Sequence, residues 1–231
     1  MNSKLPAWVG LGAFMLSLAA GCMNAFTLVS LIALPVTHST GTTSAFSIAL
    51  AHGDFSQALY LLGLIIAFVL GAVSSGLLIR DYHLKLGRRY GIALMSEAVL
   101  VTLAFVSYQD DPMVTHFLLA FAAGLQNAMA TTYSGAVVRT THVTGILTDL
   151  GIQAARAITG QRVDRPRIFL FIWIFVGFVT GSFFAAFFFP ILGALVLLLV
   201  ILLSGGTGLA YYVYRILAMR KQSLTVKPGS Q

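Results

Sequence analysis

Two short segments carry the same unusual group of polar residues. Thr37-His38-Ser39-Thr40-Gly41 and Thr141-His142-Val143-Thr144-Gly145 share the pattern Thr-His-x-Thr-Gly. Each follows an apolar run that holds a carboxamide. Asn24 lies 13 residues before Thr37, and Asn127, preceded by Gln126, lies 14 residues before Thr141. Hydroxyl, imidazole and carboxamide groups at matched places suit hydrogen bonding to a small polar or anionic solute. Asn24, Asn127, Gln126, Thr40, Thr144, His38 and His142 are therefore the expected substrate-binding residues. One acid stands apart. Glu97, in Leu94-Met-Ser-Glu-Ala-Val-Leu100, sits inside a long apolar run. An acid at that depth costs about 3 kcal/mol on insertion scales, and loss of water favours its neutral form. Glu97 is the expected proton-coupling residue. The competing reading is a carboxylate near the membrane boundary, paired with Arg88 or Arg89 roughly two helical turns away.

These groups are carried by a chain of 231 residues that is 58% hydrophobic and only 9% charged, with a mean hydropathy of +0.90. A soluble domain carries about 25% charged residues, so this composition belongs to a polytopic membrane protein. A spanning helix needs ~20 apolar residues. Six stretches qualify, at about 8–34, 57–79, 90–108, 113–138, 167–189 and 191–214, and the fold class is all-α. Pro190 is expected to open the sixth span, since proline suits the first turn of a helix. The chain's single cysteine, Cys22, excludes an intramolecular disulfide and a Cys-rich metal site. Lys4 and Ala19-Ala20-Gly21-Cys22 imitate a lipoprotein signal, but the apolar run continues through Ala25–Leu34, so the first run reads as a retained span.

Charge placement sets the orientation. All 14 Lys and Arg fall at the N-terminus, in 80–89, in 139–167 or in the tail from Arg215. The opposite side holds Asp54, Asp110 and Asp111 and no basic residue. The positive-inside rule then places both termini in the cytoplasm. The net charge of +7 reports topology here, and no nucleic-acid partner is implied.

The two halves repeat. Ala20-Gly-Cys-Met-Asn-Ala25 aligns with Ala123-Gly-Leu-Gln-Asn-Ala128, Thr37–Gly41 with Thr141–Gly145, and Phe68-Val-Leu-Gly71 with Phe178-Val-Thr-Gly181. The offset moves from 103 to 104 to 110. Residues 1–110 form one three-span unit, and 111–231 a second with a basic cytoplasmic tail. Three spans per unit make the second unit inverted relative to the first, a recurrent plan of secondary transporters with the site near the bilayer midplane. After spans one and four, Thr42–His52 and Ile146–Ile158 are too short to cross the membrane. They read as broken or re-entrant helices, with Thr or Ser as N-cap and Gly easing the bend.

The segments "AGLQNA" and "TTHVTGILTDLG" resemble the YoaK-like family of bacterial inner-membrane proteins, a domain-of-unknown-function family. The resemblance covers nearly the whole chain and implies a six-helix fold in the bacterial inner (cytoplasmic) membrane. It implies no substrate.

The residues themselves favour a secondary transporter of a small polar or anionic solute, with a proton as the coupled ion. The lipid bilayer, that solute and the proton are the expected partners, and a homo-oligomer is compatible with this reading. No cofactor and no metal site are expected, because no cluster of His, Asp and Glu has zinc-like spacing. An intramembrane enzyme is the lesser reading. Ser134, His142 and Asp149 suggest hydrolysis, but no Gly-x-Ser-x-Gly or His-Glu-x-x-His motif supports it. A structural or regulatory membrane subunit is the main alternative. The last span carries Ser204-Gly-Gly-Thr-Gly208 in place of a second acid.

Overall fold

A backbone in lipid has to close its hydrogen bonds internally, and this chain does so with helices. The structure, a computed structural model, describes residues 7–30, 35–79, 88–133 and 140–225. The helices are α1 (Ala7–Ser30), α2 (Ser39–Ala51), α3 (Phe55–Leu78), α4 (Arg88–Ser107), α5 (Pro112–Tyr133), α6 (Val143–Ile158), α7 (Arg165–Leu192) and α8 (Leu197–Thr225). A 3-10 turn, Gly193–Val196, joins the last two. Among the described residues, five segments are long and apolar enough to cross a membrane. The fifth, Arg165–Tyr214, is 50 residues long and takes in both α7 and α8. As one straight helix it would measure about 75 Å, against ~30 Å of hydrocarbon. It breaks instead at Gly193, whose φ of 55° glycine adopts without steric cost. The protein is thus an all-α, multi-pass membrane protein.

Pro190 corrects the expectation made for it. It does not open the last helix; it lies inside the end of α7. So near a terminus, proline forfeits a single backbone bond, and the neighbouring glycine makes the turn.

Contacts along the helices fix their directions. Phe14 and Leu18 of α1 meet Gly177 and Gly181 of α7, so this pair runs parallel. Phe117 and Phe121 of α5 meet Gly63 and Gly71 of α3, a second parallel pair. α4 is antiparallel to α5, because Glu97 meets Gln126 while Ala104 meets Thr115. α5 is antiparallel to α1, with Gln126 on Leu16 and Ala130 clustered with Ala13. α8 is antiparallel to α1, with Val196 at Cys22 and Tyr211 on the same cavity wall as Val9. So α1, α4 and α7 point one way, and α3, α5 and α8 the other.

The two parallel pairs are the tightest parts of the molecule, and glycine makes them so. In α1/α7, a Cβ at Gly21 would collide with the Phe178 carbonyl, and one at Gly181 with that of Leu18. In α3/α5, a Cβ at Gly124 would collide with the Phe68 carbonyl, and one at Gly71 with that of Phe121. Lipid gives helices no hydrophobic drive to associate, so close backbone packing between small residues supplies the attraction. Asp54 and Asp164 cap the helices that carry one member of each pair, accepting from Gln57 N at 3.0 Å and Arg167 N at 3.2 Å.

Candidate functional site

Each half ties a carboxamide to a threonine just before a short helix. Thr37 reaches back to Asn24, donating from Oγ1 to Asn24 Oδ1 at 2.6 Å, with the Thr37 amide 3.4 Å from the same oxygen. Asn24 lies six residues inside the end of α1, so α2 starts about 9 Å below that end. In the second half Thr140 donates to Gln126 Oε1 at 3.4 Å. The partner is therefore Gln126 rather than the aligned Asn127, and the threonine is Thr140 rather than Thr141. Asn127 Oδ1 is buried with no hydrogen-bond partner among the described residues. The residue missed from sequence, Thr140, had a signal in the doublet Thr140-Thr141, which absorbs the one-residue slip between the halves.

The histidines explain the rest of the repeated pattern. His38 and His142 occupy the N-cap positions of α2 and α6, and neither makes a side-chain capping bond. This corrects the expectation of a Thr or Ser cap. Each ring folds instead over the first turn of its helix, onto the motif glycine. A Cβ at Gly41 would lie 2.7 Å from His38 Cδ2, and one at Gly145 would collide with the His142 ring. The leading threonine anchors, the histidine covers the helix start, and the glycine leaves room for it. Thr40 and Thr144 are exposed, and their carbonyls accept from the Ser44 and Thr148 hydroxyls. The residues expected to bind substrate are thus divided between two separate junctions. Leu16 and Asn24, which mark them on α1, are about 12 Å apart along the helix axis.

Among the described residues, the second junction reaches an acid and the first does not. Gln126 is fully buried and is held at three points. Its Oε1 accepts from Thr140, and its Nε2 donates to the Leu16 carbonyl at 3.1 Å and to Glu97 Oε1 at 2.9 Å. Glu97 is 0% exposed. Its partner is this amide, while Arg89 lies exposed at the helix start. Among the described residues, the hydrogen bond to its carboxyl comes from Gln126 and not from an arginine. Among the described residues, Glu97 Oε2 and Ser204 Oγ have no hydrogen-bond partner of good geometry. They lie on the two helices of the α4/α8 contact, where the next residues, Ala98 and Gly205, approach each other. Ser204 carried a sequence signal only as the polar break in the last span. The Leu16 carbonyl carried none.

Beside this network is a cavity of about 280 Å³. Its walls come from α1 (Leu16), α4 (Leu94), α5 (Met129) and α8 (Leu203), and Ser204 lines it. Its other polar groups are Tyr90, Thr207 and Tyr211. Asn24, Asn127 and Glu97 are not on its surface, so the expected cavity lined by those three is not the one present. The α4/α5 contact at Ala104 and Thr115 is filled. There Thr115 Oγ1 donates to the Ala104 carbonyl at 3.2 Å, Leu119 and Val101 are fully buried, and buried His116 bonds the Tyr60 hydroxyl through Nδ1.

Residues 12–210 fit the family model described as "Protein of unknown function (DUF1275)". No curated protein and no solved structure matches the chain.

Proposed function

Since the chain belongs to the DUF1275 family of YoaK-like membrane proteins, whose function is unknown, we propose from its own geometry that it is a proton-coupled secondary carrier of a small solute. The single observation that carries this reading is Glu97. It is fully buried, bonded on one oxygen only, and set against a serine that opens onto a cavity. A buried acid in a membrane helix is costly and is retained where its charge is used. Gln126 holds the carboxyl in place, and Ser204 connects it to the solute space.

In this reading α7 and α8 are two crossings, which makes six, and the halves α1–α4 and α5–α8 are inverted repeats. The glycine contacts support the pairing position by position. Gly21 against Phe178 matches Gly124 against Phe68, and Gly181 against Leu18 matches Gly71 against Phe121. The opposite directions of α1 and α5 support the inversion, and the charge distribution supports cytoplasmic termini. The α1/α8 cleft then corresponds to the α5/α4 cleft. The first holds the cavity, with Val9, Tyr90 and Tyr211 from the basic-side ends of the helices among its lining, and the second is filled, an asymmetry that suits an inward-facing carrier. Structural scaffolding accounts for the glycine pairs but leaves the buried acid unexplained.

The test is made in proteoliposomes loaded with a pH-sensitive dye. Once a transported solute is found by thermal-shift screening, Glu97→Gln is expected to abolish solute-linked proton movement and to keep exchange of labelled for unlabelled solute. Normal accumulation by Glu97→Gln would remove the coupling role.

A further inference from the structure

Helices α3 and α7 turn matching apolar stripes outward. On α7 the exposed residues Phe169, Ile172, Val176 and Phe183 follow at intervals of three, four and seven, which keeps them on one face of the helix. On α3 the exposed residues Leu59, Leu62, Ile66 and Val73 hold the same places, each 110 residues earlier. Both stripes lie on membrane-crossing segments, so lipid chains cover both. The two differ one turn further back. The α7 stripe is headed by Arg165, exposed and four residues before Phe169, and the α3 stripe by Phe55, four before Leu59. An arginine thus stands over one lipid-facing stripe, where hydrocarbon gives way to headgroups.

Two further arginines join it. The Gln161 amide donates to the Arg156 carbonyl at 2.8 Å, and the Asp164 amide donates to Gln153 Oε1 at 3.1 Å. These bonds fold the end of α6 against the start of α7 and bring Arg156 and Arg162, both exposed, to the same turn. The acid on this turn, Asp164, is engaged as a cap by the Arg167 amide, and Arg167 itself lies 6.0 Å from the centre of the Phe171 ring. Arginine at a helix start works against the helix dipole, so the stability of α7 does not account for Arg165. Guanidinium groups beside an apolar stripe match a molecule with a negative head and hydrocarbon tails. The planar fork of donors on arginine fits phosphate oxygens, and a zwitterionic head would bring its own cation to the same place.

We propose that the α6/α7 turn and the outer face of α7 bind an anionic phospholipid, with its phosphate at Arg165, Arg162 and Arg156 and an acyl chain along Phe169, Ile172, Val176 and Phe183. This site is independent of the carrier reading. The α3 stripe, headed by Phe55, takes lipid without regard to charge.

Trp173 reads the site directly. It is exposed, stands next to Ile172 and lies eight residues, about 12 Å, along α7 from Arg165, so bromine atoms on an acyl chain bound there quench its fluorescence. The full-length protein carrying Trp8→Phe, which leaves Trp173 as the one tryptophan, is reconstituted into phosphatidylcholine vesicles. The brominated lipid added is either phosphatidylglycerol or phosphatidylcholine. Phosphatidylglycerol is expected to bind at least about fivefold tighter, the factor that one arginine near the membrane surface supplies. Arg165→Gln should reduce this preference, and Arg156→Gln, Arg162→Gln and Arg165→Gln together should remove it. Salt at about 1 M, where charges are screened beyond ~3 Å, should reduce it too. Arg89→Gln, at the exposed start of α4, should leave it unchanged. Equal quenching by brominated phosphatidylcholine in every variant shows that each is folded with Trp173 in lipid. Absence of a preference in the unaltered arginine set overturns the proposal, and so does a preference that survives the triple change. An equal loss in Arg89→Gln would trace the effect to overall charge and overturn it as well. Relief of the quenching by glycerol phosphate in solution would mark a site for free phosphate esters in place of lipid, and the proposal would fall.

Discussion

The Asn24–Thr37 and Gln126–Thr140 junctions are built alike, yet they are wired differently. Asn24 accepts a short bond from Thr37 and has no link to an ionisable group in the contacts observed. Gln126 accepts a longer bond from Thr140 and uses its amide to join a backbone carbonyl on α1 to the carboxyl on α4. Position as well as length makes the difference: Gln126 stands one residue before the carboxamide aligned with Asn24, and its side chain bridges three elements. The first junction is an anchor for α2. The second is an anchor that also positions an acid. Two junctions of similar build thus differ in whether they hold an ionisable group.

The tightest contacts should show the least difference between halves. Gly21→Ala and Gly124→Ala each force a Cβ into a facing carbonyl, and overpacking of this kind costs ~1–3 kcal/mol or more. Both variants should lower the thermal midpoint in detergent by similar, large amounts, while Gly76→Ala, which meets open space, should not. A large loss in only one of the pair would break the equivalence of the α1/α7 and α3/α5 packings.

The junctions themselves should then diverge. Gln126→Leu leaves Glu97 Oε1 and Thr140 without their partner and should cost ~1–3 kcal/mol. Asn24→Leu removes only the tie to Thr37 and should cost about 1 kcal/mol. Equal losses, read as midpoint shifts, would mean that the Glu97 link adds nothing. The threonines should rank the other way. Thr37→Val gives up the 2.6 Å bond and Thr140→Val the 3.4 Å one, so the first should fall within ~0.5–1.5 kcal/mol and the second at or below its lower end.

The smallest effects belong to the histidine-covered glycines. Gly41→Ala and Gly145→Ala meet only the rings of exposed His38 and His142. These rings can swing into solvent, so changes within about 0.5 kcal/mol are expected. Larger losses would show that the rings are fixed by something beyond the helix start.

Much of this was legible in the sequence. The apolar runs place the first five long helices to within a few residues, because burial in lipid is a composition-wide demand, but the last, expected at 191–214, runs instead as Leu197–Thr225. The resemblance to the YoaK-like family, read from "AGLQNA" and "TTHVTGILTDLG", is borne out over residues 12–210. The chemistry of single side chains was less legible. Asn24, His38 and His142 look like ligand-binding groups because hydrogen-bonding capacity is visible in a sequence. Whether that capacity is already used by Thr37 or by a helix start is a property of the folded chain. The assignment of Gln126 over Asn127 turns on one methylene and a one-residue slip, and short alignments do not resolve either. Asp54 and Asp164 repeat with the same 110-residue offset as Gly71 and Gly181, and their shared role as caps shows only once the helices they start are in place.

Orientation has its own check. In a Cys22→Ser background, cysteines at Gln57 and Gln109 should react with an impermeant thiol reagent in intact cells, and one at Gln161 should not. All three positions are exposed. The reverse pattern would invert the topology and make the cavity open outward.

The central claim is that the two clefts alternate, and the distance between their walls tests it most directly. Spin labels at Leu11 and Leu209 report the α1/α8 cleft, and labels at Val114 and Val106 report the α5/α4 cleft; all four positions are exposed. Double electron–electron resonance on the protein in lipid nanodiscs, compared with its Glu97→Gln variant, gives both distances. The account predicts two populations at each cleft that shift in opposite senses, one closing as the other opens. A single unchanged distance at both clefts, in both proteins, would contradict it.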